Sequence, residues 1–368
     1  MSDGDVVVIG GGYAGVRLAK RLDATARVTL VDRKEVFFHR ISSLRAGVRK
    51  EWSATPFIPY DRLLRHGRMV VGKVVRIDTA ERRVVLANGT RLPYDVVVIA
   101  TGADYPEPAR FAGTTTEEAM KSFAEHQQKI AFAEHVLVVG GGPSGVELSA
   151  EIRLARPDAR VTLAHSGAEL LGSTGSGRAG RKAREWLEAH DVDVRLDSFM
   201  APGNDFATYR DARGDVITAD LSFWATGTTP NTLWLRLGGH GDLLTPSGHV
   251  KVDRSLRAEG HLDVFAVGDV NDATELKITP AALAQADLAA WNIRAHLHSS
   301  GKHRKDPRFY RPVHRTPLIV PFGPADGVTM LPVPGGETAV LGSRTSTVAK
   351  AKTLMTPYMR RQLGYTAA

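Results

Sequence analysis

Two glycine-rich turns of the pattern G-x-G-x-x-G lie 130 positions apart, from Gly10 to Gly140, and both have residue types suited to diphosphate binding. Each turn follows four apolar, mostly β-branched residues and opens a helix-like segment. The first glycine permits the tight turn, the second lets the backbone approach a pyrophosphate, and the third lets the helix pack closely on the strand. The diphosphate then lies at the positive N-terminus of the helix. The repeat predicts two dinucleotides, one on Gly10, Gly12, Tyr13, Ala14 and Gly15, and the other on Gly140, Gly142, Pro143, Ser144 and Gly145.

The strand after the first turn ends at a carboxylate. Residues 28–31 form an apolar run that leads to Asp32, 22 positions past Gly10. At this spacing an acid can accept hydrogen bonds from both hydroxyls of an adenosine ribose, although Asp is also common at strand ends as a turn former. We expect Asp32 to bind the ribose and place its neighbour Arg33 in the same site.

The matching strand after the second turn ends without an acid. Residues 161–164 lead to His165, where a carboxylate would favour NAD and a nearby Arg would favour NADP. The nearest downstream cations are Arg178 and Arg181, beyond a glycine- and serine-rich loop. We therefore expect His165 to lie at the ribose of a nicotinamide nucleotide, with the choice between NADH and NADPH open.

The two halves of the chain also end alike. Each has a later apolar strand that runs into Ala-Thr-Gly, and another strand near residue 265 ends in Gly-Asp. This repetition predicts an α/β fold of two Rossmann-like, three-layer domains. The candidate site residues in these endings are Ala100, Thr101, Gly102, Thr226, Gly227, Gly268 and Asp269.

The composition excludes several kinds of site. The chain of 368 residues has no cysteine, which removes disulfides, thiolate metal sites, iron–sulfur clusters and any redox-active dithiol. His296, His298 and His303 lie in a basic stretch with no adjacent carboxylate cluster, so we expect no metal site.

Charge and targeting signals favour a cytoplasmic protein. We find no secretory signal or membrane-spanning run, and the start Met1-Ser2 lacks the glycine needed for N-myristoylation. The formal net charge is +8, with basic runs at 302–315 and from 338 onward. Such runs are consistent with ordinary solvated surface. For the segment 346–363, peripheral contact with an anionic membrane is the alternative interpretation. We expect that segment to be a basic helix interrupted at Pro357, and 302–317 to be a linker.

The order of these motifs resembles the two-dinucleotide-binding-domain flavoproteins. Within that group the chain is similar to the ferroptosis-suppressor and apoptosis-inducing-factor-like proteins and to type II NADH dehydrogenases. The segments that carry the likeness are Phe38-His39 before Ser43-Leu44-Arg45-Ala46, Gly145-Val146-Glu147 with Ala150-Glu151-Ile152, and Asp326-Gly327-Val328.

The resemblance implies FAD in the first domain and NAD(P)H in the second. It implies FAD-binding segments at 1–112 and 246–305, an inserted NAD(P)-binding domain at 113–245, and a small α+β C-terminal region at 306–368. It places His39 and Glu147 as catalytic candidates, Arg45 and Val75 at FAD, and Glu147 also beside the nicotinamide. Each of the two has an alternative without a catalytic role. His39 could be a packed, hydrogen-bonded histidine, and Glu147 could be a carboxylate in the first turn of a helix, where it interacts favourably with the helix dipole.

The resemblance also implies an NAD(P)H oxidoreductase whose reduced flavin passes electrons to a quinone or similar small acceptor, because no dithiol is present. Type II dehydrogenases carry an Ala-Gln-x-Ala-x-Gln quinone motif, of which Ala284-Gln285 supplies only the first part. Two other functions stay open: reduction of a ferredoxin- or rubredoxin-type protein carrier, and redox sensing with nucleic-acid binding, which is the less favoured. Oligomeric state stays open as well.

Overall fold

The first parallel sheet draws its strands from segments distant in sequence. The computed structural model describes residues 4–111, 113–202, 208–211, 214–298, 306–312 and 316–366. The elements of the first segment are β1 (Asp5–Ile9), α1 (Tyr13–Leu22), β2 (Arg27–Asp32), β3 (Val36–Phe38), α2 (Arg40–Val48), a 3₁₀ turn (Lys50–Trp52), β4 (Phe57–Pro59), β5 (Arg68–Val71), β6 (Val74–Asp78), β7 (Arg83–Leu86), β8 (Arg91–Pro93), β9 (Val96–Ile99) and β10 (Ala103–Asp104).

The middle of the chain forms a second parallel sheet. Its four strands are ordered β13-β12-β11-β17, with the second glycine turn directly after β11. The elements are α3 (Thr116–Phe132), β11 (His135–Val139), α4 (Pro143–Ala155), β12 (Arg160–Ala164), a 3₁₀ turn (Gly172–Thr174), α5 (Gly177–Ala189), β13 (Val192–Arg195), β14 (Ala201–Pro202), β15 (Thr208–Arg210), β16 (Val216–Thr218), β17 (Leu221–Trp224), β18 (Thr229–Pro230), α6 (Leu233–Leu237) and a 3₁₀ turn (Gly241–Leu243).

The chain then returns to the first sheet through β19 (Val264–Ala266) and α7 (Thr279–Leu297). The completed order is β19-β9-β1-β2-β5, all parallel. Helices α1 and α7 cover one face, while the antiparallel meander β6-β7-β8 contributes to the core on the other. Strands buried on both faces need continuous apolar runs, which explains why Val6, Val7 and Val8 are nearly inaccessible. The short antiparallel pair β10-β18 joins the two halves.

A small antiparallel sheet and short helices end the chain. They are β20 (Leu318–Pro321), β21 (Gly327–Pro332), β22 (Thr338–Leu341), α8 (Ser343–Ser346), a π-helix (Thr347–Ala351) and α9 (Thr356–Gln362). Val320, Phe322 and Val328 share one hydrophobic core with Val146 of α4 and Leu163 of β12. The C-terminal sheet therefore packs against the second glycine-turn unit, and brings the π-helix close to α4.

The predicted fold class is confirmed. The basic segment 346–363, predicted as a helix interrupted at Pro357, is divided before that residue. The segment is divided by Leu354 and Met355, whose φ angles of +49° and +60° are incompatible with a continuing helix. Pro357 lies in the first turn of α9 rather than interrupting a helix, since proline is favoured in the first helical turn.

Other sequence expectations concern membranes, metals and the basic linker. Across the described residues, no helix is long and apolar enough to cross a membrane. Within the same ranges no cluster of three His, Asp or Glu side chains could hold a metal ion. His303 and most cations of the predicted 302–317 linker lie outside the described residues.

Candidate functional site

A cavity of about 570 Å³ runs along the carboxyl ends of the first sheet. Its volume falls in the range of small-molecule and cofactor sites. Strand ends distant in sequence meet there because parallel strands present their carboxyl ends at one edge. The predicted residues that line it are Gly10, Gly12, Tyr13, Ala14, Asp32, Arg33, Val75, Ala100, Thr101, Gly102, Gly268 and Asp269.

The first glycine turn has the shape that a diphosphate requires. A Cβ on Gly15 would collide with the carbonyl oxygen of Gly10, so this position must be glycine for α1 to pack under the turn. A Cβ on Gly12 would meet nothing within 4 Å, which leaves an open approach to the start of α1. The residues present therefore fit a dinucleotide whose diphosphate lies at this helix N-terminus.

Asp32, the predicted ribose-binding residue, is buried and has hydrogen-bond partners within the protein. Its Oδ2 accepts a hydrogen bond from the Gly11 amide at 2.5 Å, which ties the end of β2 to the glycine turn. Lys34 Nζ lies 2.8 and 3.0 Å from the two carboxylate oxygens and also lines the cavity. Sequence reasoning missed Lys34, although a cation two positions after the acid was a visible signal. Lys34 balances the charge that Asp32 brings into the site.

The other end of the cavity is organised around Asp269. Its Oδ2 accepts a hydrogen bond of 2.7 Å from the Tyr105 hydroxyl, and the Arg40 guanidinium lies 3.9 Å from the centre of the Tyr105 ring. Burial, followed by the charge of Asp269, raises the pKa of Tyr105, so its hydroxyl remains a donor. Tyr105 and Arg40 line the cavity, and the sequence had not singled out either residue.

His39 is completely buried behind Tyr13. Its Nε2 lies 2.7 Å from the carbonyl oxygen of Leu354, and its Nδ1 lies 2.9 Å from the Tyr13 hydroxyl. Because a carbonyl can only accept, Nε2 carries the proton and Nδ1 accepts from Tyr13. Burial lowers the pKa of His39 to about 4, so the ring is neutral at pH 7. Tyr13 lines the cavity and separates His39 from it.

Glu147, on α4, forms a nearly buried ion pair with the C-terminal π-helix. Its Oε1 lies 2.8 Å from Lys350 Nζ, which also donates to the carbonyl oxygen of Ile319 at 2.9 Å. Burial raises the pKa of Glu147, and the charge of Lys350 opposes this rise. Lys350 was a missed residue: the sequence shows it between two alanines, but only the folded chain brings it to α4.

Arg45 lies where three elements meet. Its Nε is 2.6 Å from Glu151 Oε1 on α4, and its Nη1 donates to the carbonyl oxygen of Ala351 at 2.8 Å. Arg49 reaches the second oxygen of Glu151 at 3.1 Å, and the Trp52 ring lies 4.7 Å from the Arg45 guanidinium. Arg45 is 1% exposed and does not line the cavity, so the structure gives it a connecting position between α2, α4 and the π-helix.

The second glycine turn repeats the geometry of the first. A Cβ on Gly145 would collide with the Gly140 carbonyl oxygen, while one on Gly142 would meet nothing within 4 Å. The His165 ring packs on Gly141, where an added Cβ would lie 2.7 Å from it. Burial lowers the pKa of His165, which favours the uncharged ring. The remaining predicted residues lie at the same turn or after β17: Pro143, Ser144, Thr226 and Gly227.

Comparisons with known proteins agree with this geometry. Residues 4–286 match the family model described as pyridine nucleotide-disulphide oxidoreductase. The chain is 31% identical to apoptosis-inducing factor homolog B of Dictyostelium discoideum, over 95% of this chain and 94% of that protein. It is 30% identical to ferroptosis suppressor protein 1 of Xenopus tropicalis, over 98% and 96% of the two chains. The solved sulfide:quinone oxidoreductase of Aquifex aeolicus shares the fold, with a TM-score of 0.79, 19% identity and coverage of 98% and 91%.

Proposed function

The chain belongs to the pyridine nucleotide-disulphide oxidoreductase family, and on that premise we propose that it passes electrons from NAD(P)H through FAD to a quinone or a similar small acceptor. The cofactors of this family are FAD and NAD(P)H. The long cavity fits FAD, and the second glycine turn fits the nicotinamide nucleotide. FAD, when bound, supplies the two-electron chemistry, while the protein supplies binding and alignment.

The lack of cysteine supports a direct route to the acceptor. Members that reduce disulfides need a dithiol beside the flavin, and no residue of this sequence is cysteine. The ionisable groups at the junction of α4 and the π-helix include the pair Glu147 and Lys350 and the pair Arg45 and Glu151. Complete reduction of a quinone takes up two electrons and two protons. Neither Glu147 nor Lys350 is among the residues that line the cavity. We propose that Lys350 Nζ, held by Glu147 Oε1 at 2.8 Å, delivers a proton to the acceptor from outside that lining.

The observation that carries the proposal is a cofactor-sized cavity at one glycine turn, with a second glycine turn of the same geometry, in a sequence without cysteine. Anaerobic addition of NADH or NADPH to the FAD-loaded protein should bleach the visible flavin absorbance. A water-soluble quinone should then restore it, at a rate that depends on quinone concentration. Absence of bleaching with both nucleotides would contradict the proposal, and bleaching that only a protein carrier reverses would replace the quinone with that carrier.

We also propose that the protein contacts anionic membranes, through electrostatic attraction rather than through insertion of an apolar helix face. Leu354, Met359 and Leu363 of the tail are buried in the protein, whereas Val348 is 85% exposed, so the tail offers one large apolar side chain to lipid rather than an apolar face. A basic surface is available instead, because Lys20 Nζ bonds the carbonyl oxygen of Gln362 and the guanidinium groups of Arg62 and Arg360 flank the Tyr365 ring. The basic surface comprises Lys20, Arg62, Arg65, Arg360 and Arg361.

This basic surface should bind anionic vesicles electrostatically, with roughly 1 kcal/mol per cation near the surface. Binding to phosphatidylserine vesicles should fall with salt and weaken in the triple variant R62Q/R65Q/R361Q. The matched control K121Q/K129Q/R210Q removes the same charge from exposed positions elsewhere and should bind like the parent chain. Equal binding by both triple variants would remove the basic surface from the proposal.

A further inference from the structure

Gln285 of α7 lies beneath the Gly268–Asp269 turn and is bonded to it. Its Oε1 accepts hydrogen bonds from the Gly268 amide at 2.7 Å and from Asn271 Nδ2 at 2.8 Å. Its Nε2 donates to Glu275 Oε1 at 2.6 Å. This orientation is required because a backbone amide only donates and a carboxylate accepts. Gln285 is 1% exposed and does not line the cavity, so it supports the turn rather than meeting an acceptor.

Tyr310 extends this hydrogen-bond chain to the segment that follows α7. Its hydroxyl lies 2.7 and 2.8 Å from the two oxygens of Glu275, and its amide donates to the Arg254 carbonyl oxygen at 2.6 Å. Burial and then the hydrogen bond to Glu275 raise the pKa of Tyr310, so the hydroxyl stays protonated and donates. Tyr310, Glu275 and Gln285 thus form one continuous path to the Gly268 amide.

The turn at the end of this path has little freedom to shift. Gly268 has a φ angle of +82°, and a Cβ there would lie 3.2 Å from the Ala14 side chain in the first turn of α1. Asp269 is held from the opposite side by Tyr105. Gly268 and Asp269 both line the cavity, so displacement of the turn would change the shape of the cofactor site.

We propose that Tyr310, Glu275 and Gln285 are a positioning relay that holds the Gly268–Asp269 turn in the geometry that binds FAD and fixes the place of the flavin. The proposal rests on the assignment of FAD to the cavity and on no assumption about the acceptor. It replaces the quinone interpretation of Gln285 with a role in cofactor binding. The three residues act through the turn, so they are positioning residues.

The test measures FAD binding to apoprotein by quenching of flavin fluorescence. Y310F removes one hydroxyl, E275A removes the carboxylate, and E275Q keeps an oxygen that can accept from both Tyr310 and Gln285. The expected rise in the FAD dissociation constant is about three- to tenfold for Y310F and E275A, with smaller change for E275Q. The visible absorbance bands of bound flavin should shift in the first two variants and return toward the parent spectrum in E275Q.

Y94F is the matched control. Tyr94 is also buried, and its hydroxyl has no hydrogen-bond partner among the described residues, so its removal leaves the relay intact. Unchanged FAD affinity and spectrum in folded Y310F and E275A would overturn the relay, as would equal loss of FAD by Y310F and Y94F. A parent protein that binds FAD but is not reduced by NAD(P)H would instead overturn the proposed electron transfer and leave the relay standing.

Discussion

Lys350 Nζ lies 2.8 Å from Glu147 Oε1, and this contact connects the C-terminal π-helix to α4 across 203 positions of sequence. Both side chains are 11% exposed. A buried carboxylate is costly unless a cation or a proton accompanies it, so the charge of Lys350 stabilises the ionised form of Glu147. The ion pair therefore helps to hold the C-terminal region against α4.

Replacing Lys350 by Met should slow the acceptor step more than the donor step. The variant removes the proton donor and leaves Glu147 buried without its cation. We expect kcat with a quinone to fall about 100-fold, within the range measured for lost general acids. Stopped-flow measurement separates the steps: flavin bleaching by NADH should change much less than quinone-dependent recovery of absorbance.

Lys352→Met is the matched control for that experiment. Lys352 is exposed and two positions away, so the variant removes the same charge from the same segment without touching Glu147. It should retain both half-reactions. Equal slowing of recovery in the two lysine variants would show that total charge, rather than the contact with Glu147, controls the acceptor step.

His39 should make the protein less stable in mild acid. Its pKa is lowered from 6.5 to about 4 by burial, so between these values the unfolded chain binds a proton that the folded protein does not. This contribution to the free energy of unfolding is fully present above pH 6.5 and is lost as the pH falls, and the loss reaches roughly 3 kcal/mol at pH 4. About 2 kcal/mol of it should be gone at pH 5.

Urea unfolding at pH 7.5 and pH 5 measures this effect. In His39→Gln the imidazole is absent, so its loss of stability between the two pH values should be smaller than that of the parent chain. His66→Gln removes an exposed imidazole and should keep the parent difference. If His39→Gln and the parent chain lose the same free energy of unfolding on acidification, His39 is not the group that resists protonation.

Local sequence patterns predicted the parts of the site that depend on backbone turns. The two glycine turns, Asp32 and the Gly268–Asp269 strand end are each determined by residues within one strand-turn-helix unit, where φ angle and close packing restrict residue type. Gly10, Gly12, Tyr13 and Ala14, which were predicted from the spacing of the glycines, therefore line the cavity.

Side-chain partners from distant segments could not be found in this way. Lys350 and Tyr310 reach their carboxylates only after the C-terminal sheet and the segment following α7 have packed, and neither residue has a local motif. Arg45 was singled out through the family resemblance, but its partners Glu151 and Ala351, 106 and 306 positions away, could not be read from the sequence.

His165→Glu should create discrimination against NADPH. The ring of His165 packs on the second glycine turn, and burial favours its uncharged form. If His165 lies at the ribose as predicted, an acid in its place would repel a 2′-phosphate. We expect the variant to lower kcat/KM for NADPH at least about tenfold relative to NADH, because like charges would lie close together in the complex. His165→Gln is the neutral control, and it should change the ratio of kcat/KM for NADPH to kcat/KM for NADH only a little. An unaltered NADPH/NADH ratio in His165→Glu would remove His165 from the ribose position.

The double variant R45M/E151M should be more stable than R45M alone. Arg45→Met leaves Glu151 buried with only Arg49 as its partner, and breaking such a pair costs about 3–5 kcal/mol, whereas replacing both members by apolar side chains costs much less. Urea unfolding of the parent chain, both single variants and the double variant gives the coupling energy.

FAD affinity measured on the same proteins decides between two roles for Arg45. A connecting residue predicts that FAD binding recovers with stability in R45M/E151M, whereas a direct contact with the cofactor predicts that FAD binding stays weak after stability is restored.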